Sequence, residues 1–334
     1  VFGLLSQLAH VELESPRPAE SVDFFTRVLG FTETDRDEQS VYLRAWGDPF
    51  HHSLVISEGP APRLAHIGWR AAGPEQLEEA VRRIEAGGTG EGWRDAVTGH
   101  GRAFRYQSPG GHRHEIFWEV DRYEAPEDKR SIYPIRAQRF YPVGAAARQV
   151  DHVTLATARM NDDIAFYRDV LGSRFMECTV ENAEADEPFF AEVTNNEQAH
   201  DIGLVRDHSD ARGRSHHLAF WLDLPTDVTR AADVIIESGT PIEYGPGKHG
   251  HGENIYLYVR EPGGHRVELF SGGYRNYQPD WEPKRWIVGT GGIDMFRNWP
   301  APESMLEVFP ATDAPDRATL IVDGSNPWSV VGVS

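Results

Sequence analysis

The chain states one sentence twice, and that repetition limits what it can fold into more than any other feature. The first half contains Pro109-Gly110-Gly111-His112-Arg113-His114-Glu115, and the second Pro262-Gly263-Gly264-His265-Arg266-Val267-Glu268. Upstream, Gln7-Leu8-Ala9-His10-Val11 is echoed by Gln149-Val150-Asp151-His152-Val153. Val28-Leu29-Gly30 returns as Val170-Leu171-Gly172, and Ala65-His66-Ile67 as His216-His217-Leu218. The period is about 150 residues, a domain rather than the roughly 20–50 residues of a solenoid repeat. A duplicated domain is therefore expected, with the seam near Pro142 to Arg148.

Within each copy the pattern runs in the same order. A strand carries the first His (Leu8 to Leu13, Val150 to Leu155), followed by an amphipathic helix (Ala19 to Leu29, Asn161 to Leu171). Strands follow, such as Val41 to Arg44 and Phe189 to Val193. The second His opens another strand, and a second helix comes next (Pro74 to Ala86, Thr226 to Ser238). The last two strands are Ala103 to Gln107 with His114 to Trp118, and Ile255 to Arg260 with Arg266 to Phe270. Pro-Gly-Gly turns the chain between them, since glycine tolerates the positive φ of a tight turn. Each copy thus reads as two βαβββ units. The expected division is an N-terminal domain 1–145, a C-terminal domain 146–290, and a tail 291–334 that could lie over a pocket as a lid.

Each copy carries two histidines and a glutamate in matching places. Two imidazoles and one carboxylate are the ligand set of mononuclear non-haem Fe(II) centres, which leave positions open for substrate and O2. Strands can bring such distant residues together, because alternate side chains share a face. Around the second triad stand Gly245-Pro246-Gly247-Lys248-His249-Gly250 and Tyr256-Leu257-Tyr258.

On these residues the chain resembles the type I extradiol ring-cleaving dioxygenases of the vicinal oxygen chelate superfamily. The pattern is that of its catechol 2,3-dioxygenase, homoprotocatechuate 2,3-dioxygenase and 2,3-dihydroxybiphenyl dioxygenase members. The resemblance runs from about Leu8 into the tail. It implies an α+β fold, the duplicated vicinal oxygen chelate fold with four βαβββ modules in two domains. It implies His152, His217 and Glu268 as metal ligands, with Fe(II) as the cofactor and Mn(II) as the alternative. It implies His200 as the acid/base residue, His249 as a hydrogen-bonding residue at the pocket, and Tyr258 as a contact to a metal-bound catechol oxygen. The activity implied is cleavage of a catechol ring beside the diol with insertion of both oxygen atoms, as part of aromatic catabolism. The partners are then a small catechol and O2, and a homo-oligomer is expected.

Two residues depart from the homoprotocatechuate pattern. Tyr244 stands where an Arg would pair with a substrate carboxylate, which favours catechol itself or 2,3-dihydroxybiphenyl. Thr154 stands where that branch has an Asn. The first copy has its own triad, His10, His66 and Glu115, and His51 echoes His200. Arg105, however, occupies the place of Tyr258 and no Gly-Pro-Gly-Lys-His loop precedes it, so the first copy is read as structural and the second as catalytic. Of the remaining histidines, His112 and His265 are expected at the surface in their turns, His216 is expected to point away from His217, and His208 into solvent. His251 is a candidate to line the loop with His249. A 4-hydroxyphenylpyruvate dioxygenase would space its ligands more widely. A glyoxalase-type isomerase would want a second carboxylate ligand. A non-catalytic aromatic-binding protein on the same fold would not need His200, His249 and Tyr258 together.

Composition closes off other classes. A net charge of −19 over 334 residues argues against nucleic-acid binding. No apolar run approaches the roughly 20 residues of a membrane helix. The opening residues lack the basic start and apolar core of a signal peptide. The single cysteine, Cys178, precludes an intrachain disulfide and fits a reducing cytoplasm.

Overall fold

A computed structural model describes residues 3–209, 211–296 and 301–310. The first copy forms an eight-stranded sheet from β1 (Leu5–Ser15), β2 (Thr32–Arg36), β3 (Ser40–Arg44), β4 (Leu54–Glu58), β5 (Arg63–Ala71), β6 (Gly90–Arg94), β7 (Ala103–Gln107) and β8 (Arg113–Phe117), in the order β2-β3-β4-β1-β5-β8-β7-β6. The second copy repeats it with β9 (Gln149–Thr157), β10 (Arg174–Val180), β11 (Phe190–Thr194), β12 (Ile202–Arg206), β13 (Arg214–Trp221), β14 (Ile242–Lys248), β15 (Asn254–Arg260) and β16 (Arg266–Gly272). One further strand, β17 (Lys284–Ile287), pairs with the β10 edge. The helices α1 (Pro18–Asp23), α2 (Pro74–Ala86), α3 (Met160–Ala165) and α4 (Pro225–Glu237) follow β1, β5, β9 and β13, which completes four βαβββ units as expected.

Equivalence between copies is readable from register. β1 pairs parallel with β4 and antiparallel with β5, as β9 pairs with β12 and β13. Val11 faces Leu54 as Val153 faces Ile202. Gly68 faces Glu115 as Ala219 faces Glu268, and Arg105 faces Glu115 as Tyr258 faces Glu268.

The two expected first helices do not stay α-helical. α1 runs into a π-turn over Phe24–Val28, and α3 into one over Phe166–Val170, with the Leu29 and Leu171 amides bonded to the Phe24 and Phe166 carbonyls. A π-turn widens the helix by one residue. That widening lets adjacent aromatics, Phe24-Phe25 and Phe166-Tyr167, both bury.

Strand alternation divides each sheet into a core face and a site face. In the second copy Val153, Leu155, Leu218, Phe220, Leu257, Val259, Val267 and Leu269 enter one hydrophobic core. The intervening His152, Thr154, His217, Tyr258 and Glu268 face a recess on the other side. That core is continuous across both copies: Phe220 packs edge-on against Phe25 and Phe31. At the equivalent place in the first copy Trp69 donates to His114 Nδ1 (3.0 Å), and His114 Nε2 meets the Tyr167 hydroxyl (3.1 Å).

The turn histidines are not at the surface; both are buried and join the copies. His112 Nε2–H donates to the Arg214 carbonyl and His265 Nε2–H to the Glu14 carbonyl, each at 2.8 Å. The Pro-Gly-Gly turns, with Gly111 and Gly264 at positive φ, aim each ring into the neighbouring copy. Removing the His265 ring leaves the half-buried Glu14 carbonyl without this donor and empties the buried ring site, so His265→Ala should cost about 1–3 kcal/mol in chemical denaturation. Burial lowers both ring pKa values from the ordinary 6.5. The unfolded chain then binds more protons, and their contribution to stability should fall as pH drops below 6.5. A His265→Ala protein as stable as the parent would contradict this pairing.

Candidate metal centre

Three strands deliver the second triad. His152 and Glu268 both flank Ala219 of β13 in register, and His217 lies on the same face two residues earlier. Their ligand atoms converge: His152 Nε2 and His217 Nε2 each stand 3.1 Å from Glu268 Oε2 and 3.3 Å from one another. Donors held about 2.1 Å from a single ion lie roughly 3.0–3.4 Å apart, so the set fits a divalent cation. Glu268 Oε1 is buried without a hydrogen bond, 3.7 Å from His249 Nε2. Two imidazoles and a carboxylate suit Fe(II) or Mn(II) equally.

The neighbouring hydrogen bonds fix how the rings are presented. His152 Nδ1–H donates to Asp151 at 2.9 Å, and Asp151 in turn accepts from the Gln198 amide at 2.7 Å. Behind His217, the expected orientation of His216 is overturned. A bulge between Ser215 and His217 turns the His216 ring to the recess side, Nδ1 to Nδ1 with His217 at 2.6 Å. His216 Nε2–H donates to the Met305 carbonyl (2.8 Å), so its Nδ1 accepts from His217. This relay leaves the lone pair of His217 Nε2 facing the triad, the orientation that ligand histidines require. The tail therefore reaches the His217 ring through one intervening imidazole.

Burial lowers the pKa of His217 to about 4. For His152 burial also pushes down, but hydrogen bonds to Asp151 and Glu268 prevail and raise it to about 10. Those same histidines hold the Glu268 carboxyl well below its ordinary range despite its burial.

The other anticipated residues surround the triad in a recess of about 600 Å³, mouth included. The His200 ring centroid lies 4.2 Å from that of His152, and burial keeps its pKa well below 6.5. The Tyr258 hydroxyl donates to His249 Nε2 (3.0 Å), whose Nδ1–H is taken by the Ile293 carbonyl. Burial raises the Tyr258 pKa well above 10. His251 also lines the recess, its Nε2 2.7 Å from the Thr179 hydroxyl, and His208 is exposed as expected. Thr154 lies on the recess wall, 3.1 Å from His217 Nε2. Phe190, Val205, Tyr244, Ile293, Ala301 and Met305 supply the apolar wall, and none of the described lining residues is Lys or Arg. Of the expected lid, 291–296 and 301–310 are described, and Ile293, Ala301 and Met305 close one side; 311–334 lie outside the described residues.

Sequence reasoning missed Glu192. It is buried on β11, with Oε1 3.3 Å from His200 Nδ1, and burial raises its pKa well above 4.5. Its only sequence signal was a carboxylate inside the apolar run Phe189 to Val193.

The first copy brings together His10, His66 and Glu115, as anticipated, but adds His100 (3.1 Å from Glu115 Oε1). Register corrects one equivalence: His52, not His51, corresponds to His200, because each lies two residues before the paired Leu54 or Ile202.

The family model described as "Glyoxalase/Bleomycin resistance protein/Dioxygenase superfamily" matches residues 7–116 and 149–269. The metapyrocatechase of Geobacillus stearothermophilus is 37% identical over 292 residues, 86% of this chain and 88% of that protein. A manganese-dependent 2,3-dihydroxybiphenyl 1,2-dioxygenase from Geobacillus genomosp. 3 is 37% identical over 286 residues, 84% and 90% of the two chains. Among solved structures, the homoprotocatechuate 2,3-dioxygenase of Brevibacterium fuscum, crystallised as a variant, superposes with a TM-score of 0.79 at 27% identity. It covers 91% of this chain and 82% of its own.

The protonation pattern makes metal uptake pH-linked. In the metal-free protein His152 carries a proton on each ring nitrogen, and a ligand atom must shed one. Fe(II) uptake near pH 7 should release about one proton at this site, read with an indicator dye in weak buffer. Uptake without release would contradict the paired His152–Glu268 state.

Proposed function

The chain belongs to the Glyoxalase/Bleomycin resistance protein/Dioxygenase superfamily, within its extradiol ring-cleaving dioxygenases, and from that premise we propose that its second copy cleaves a neutral catechol beside the diol. The observation that carries the reading is the joint placement of His200, His249 and Tyr258 around one converged His–His–Glu set. A pure binding protein has no use for that combination.

In this reading His152, His217 and Glu268 hold Fe(II). Mn(II) is the second candidate, supported by the manganese-dependent relative. An ion held there would supply a site where the diol and O2 could meet and a path for electrons between them. The protein residues do the rest. His200, kept neutral by burial, accepts a proton from a substrate hydroxyl and returns it as the oxygen–oxygen bond breaks. Glu192, whose carboxyl burial pushes well above its ordinary range, stands 3.3 Å behind His200 Nδ1. Tyr258, whose proton is committed to His249, presents its oxygen lone pairs to the recess and can accept the second hydroxyl's hydrogen bond. The aromatic and aliphatic wall excludes water and takes the ring face.

The wall also favours substrate class. Tyr244 and its apolar neighbours provide no cation for a carboxylate, which supports catechol or 2,3-dihydroxybiphenyl over homoprotocatechuate. Among the described residues no helix is long and apolar enough to cross a membrane. A reducing cytoplasm suits the buried free thiol of Cys178. Exposed Ile132, Ile135 and Tyr141, between the copies, support the expected homo-oligomer.

Anaerobically loaded protein should turn over catechol or 2,3-dihydroxybiphenyl to a yellow product with matching O2 uptake. Homoprotocatechuate should be at least about tenfold poorer in kcat/KM, the cost of an unpaired carboxylate. Bound iron with no turnover of any of the three would overturn the reading. His200→Asn should lower kcat by about 10²–10⁴ with metal content unchanged; an unaltered kcat would remove His200 from the chemistry.

A further inference from the structure

The cluster in the first copy is not a worn remnant of the second. His10, His66 and Glu115 occupy the same strand positions as His152, His217 and Glu268. Their ligand atoms are as close: 3.1 Å from His10 Nε2 to His66 Nε2, and 3.3 Å from each to Glu115 Oε1. A fourth donor, absent from the second copy, joins them. His100, in the loop ahead of β7, places Nε2 3.1 Å from the same Glu115 oxygen, and the ligand atoms of His10, His100 and Glu115 lie within 4.8 Å of one another. In the second copy the corresponding loop sends His249 to Tyr258 instead.

We propose that the first copy binds a divalent transition-metal ion of its own, through His10, His66, His100 and Glu115, as a closed structural site of the kind that Zn(II) occupies. Three imidazoles and a carboxylate make a complete four-donor set, whereas a catalytic site keeps a position free. The rings are already oriented for ligation. His66 Nδ1–H donates to Glu12 (2.9 Å), which is itself held by the Ser57 hydroxyl (2.8 Å). His100 Nδ1–H donates to the Gly101 carbonyl (2.8 Å). The Nε2 atoms of His66 and His100 are thereby left facing Glu115, the arrangement of metal-bound histidine.

Gly68 is part of the seat. A Cβ there would lie 2.2 Å from His10 Cε1, so a larger residue between the first His and the Glu would displace this ring. Nor does Arg105 block the ion. Its side chain is 38% exposed, and its Nε–H donates to Glu115 Oε2 at 3.2 Å, the oxygen turned away from the histidines. That contact leaves Oε1 to the three histidines. Aromatic packing fills the room a substrate would need: His100 stacks on Phe117 at 4.2 Å, and His52 lies 4.9 Å from His10.

The full chain, stripped by chelator and freed of any affinity tag, would be titrated with Zn(II) against a chromophoric competitor. Two tight equivalents per chain are expected. His100→Asn and Glu115→Gln should each reduce the count to one, as should Glu268→Gln by removing the other site. Loaded with Co(II), the Glu268→Gln chain should retain the intense visible bands of a four-coordinate ion. A single equivalent that Glu268→Gln abolishes, or two that survive both first-copy substitutions, would overturn the proposal. Should those two variants fail to fold, the Co(II) spectrum of the Glu268→Gln chain decides, since absence of four-coordinate bands would overturn it equally. Because zinc count and Co(II) colour do not involve ring cleavage, the outcome stands apart from that of the catechol assay.

Discussion

A carboxylate buried at the centre of a sheet is the constraint on which the second copy is built. Glu268 is 1% exposed, and burying an unpaired carboxylate is prohibitively expensive. The fold meets that cost by directing two imidazoles at the same oxygen from strands on which every other residue belongs to the core. Strand periodicity does both jobs at once. Val267 and Leu269 anchor β16 in the apolar interior, and Glu268 between them has nowhere to go but the recess. The three donor atoms already lie at the spacing that a bound divalent cation requires.

The rest of the structure serves to hold that convergence. The tail reaches it through Met305 and His216, so that a carbonyl on the 301–310 segment sets which nitrogen of His217 carries its proton. Arg266, two residues before Glu268, is fully buried and donates to the Glu307 and His216 carbonyls at 2.9 and 3.1 Å, with Glu243 closing the network at 2.9 Å. The wall over the recess and the ligand geometry beneath it are thus one hydrogen-bonded assembly. Between the copies, His112 and His265 cross-link turn to strand in a near-symmetric exchange.

Much of this was legible in the chain because duplication exposes register. Once His10 matches His152 and Glu115 matches Glu268, the order of elements along each copy, the hairpin turns and the equivalence of Arg105 with Tyr258 follow from the matched positions. What escaped notice depends on departures from that period or on contacts between copies. The bulge at β13 adds one residue and reverses His216, which simple alternation sends outward. The π-turns after α1 and α3 do the same for a helix. His100 sits in a loop, where spacing carries no facing information, and Glu192 needs the partner His200 before its burial makes sense. The turn histidines read as surface residues because nothing local reveals that another copy covers them.

The same scaffold thus appears in two chemical forms: one with a tyrosine and a recess beside its triad, the other with an arginine, a fourth donor and packed rings. The most direct test of the central claim is diffraction at the iron edge from crystals loaded with Fe(II) and soaked anaerobically with catechol. The account predicts an anomalous peak bounded by His152 Nε2, His217 Nε2 and Glu268, with both catechol oxygens directed at it and His200 and Tyr258 within hydrogen-bonding reach of them. Iron found elsewhere, or a catechol bound away from that triad, would contradict it.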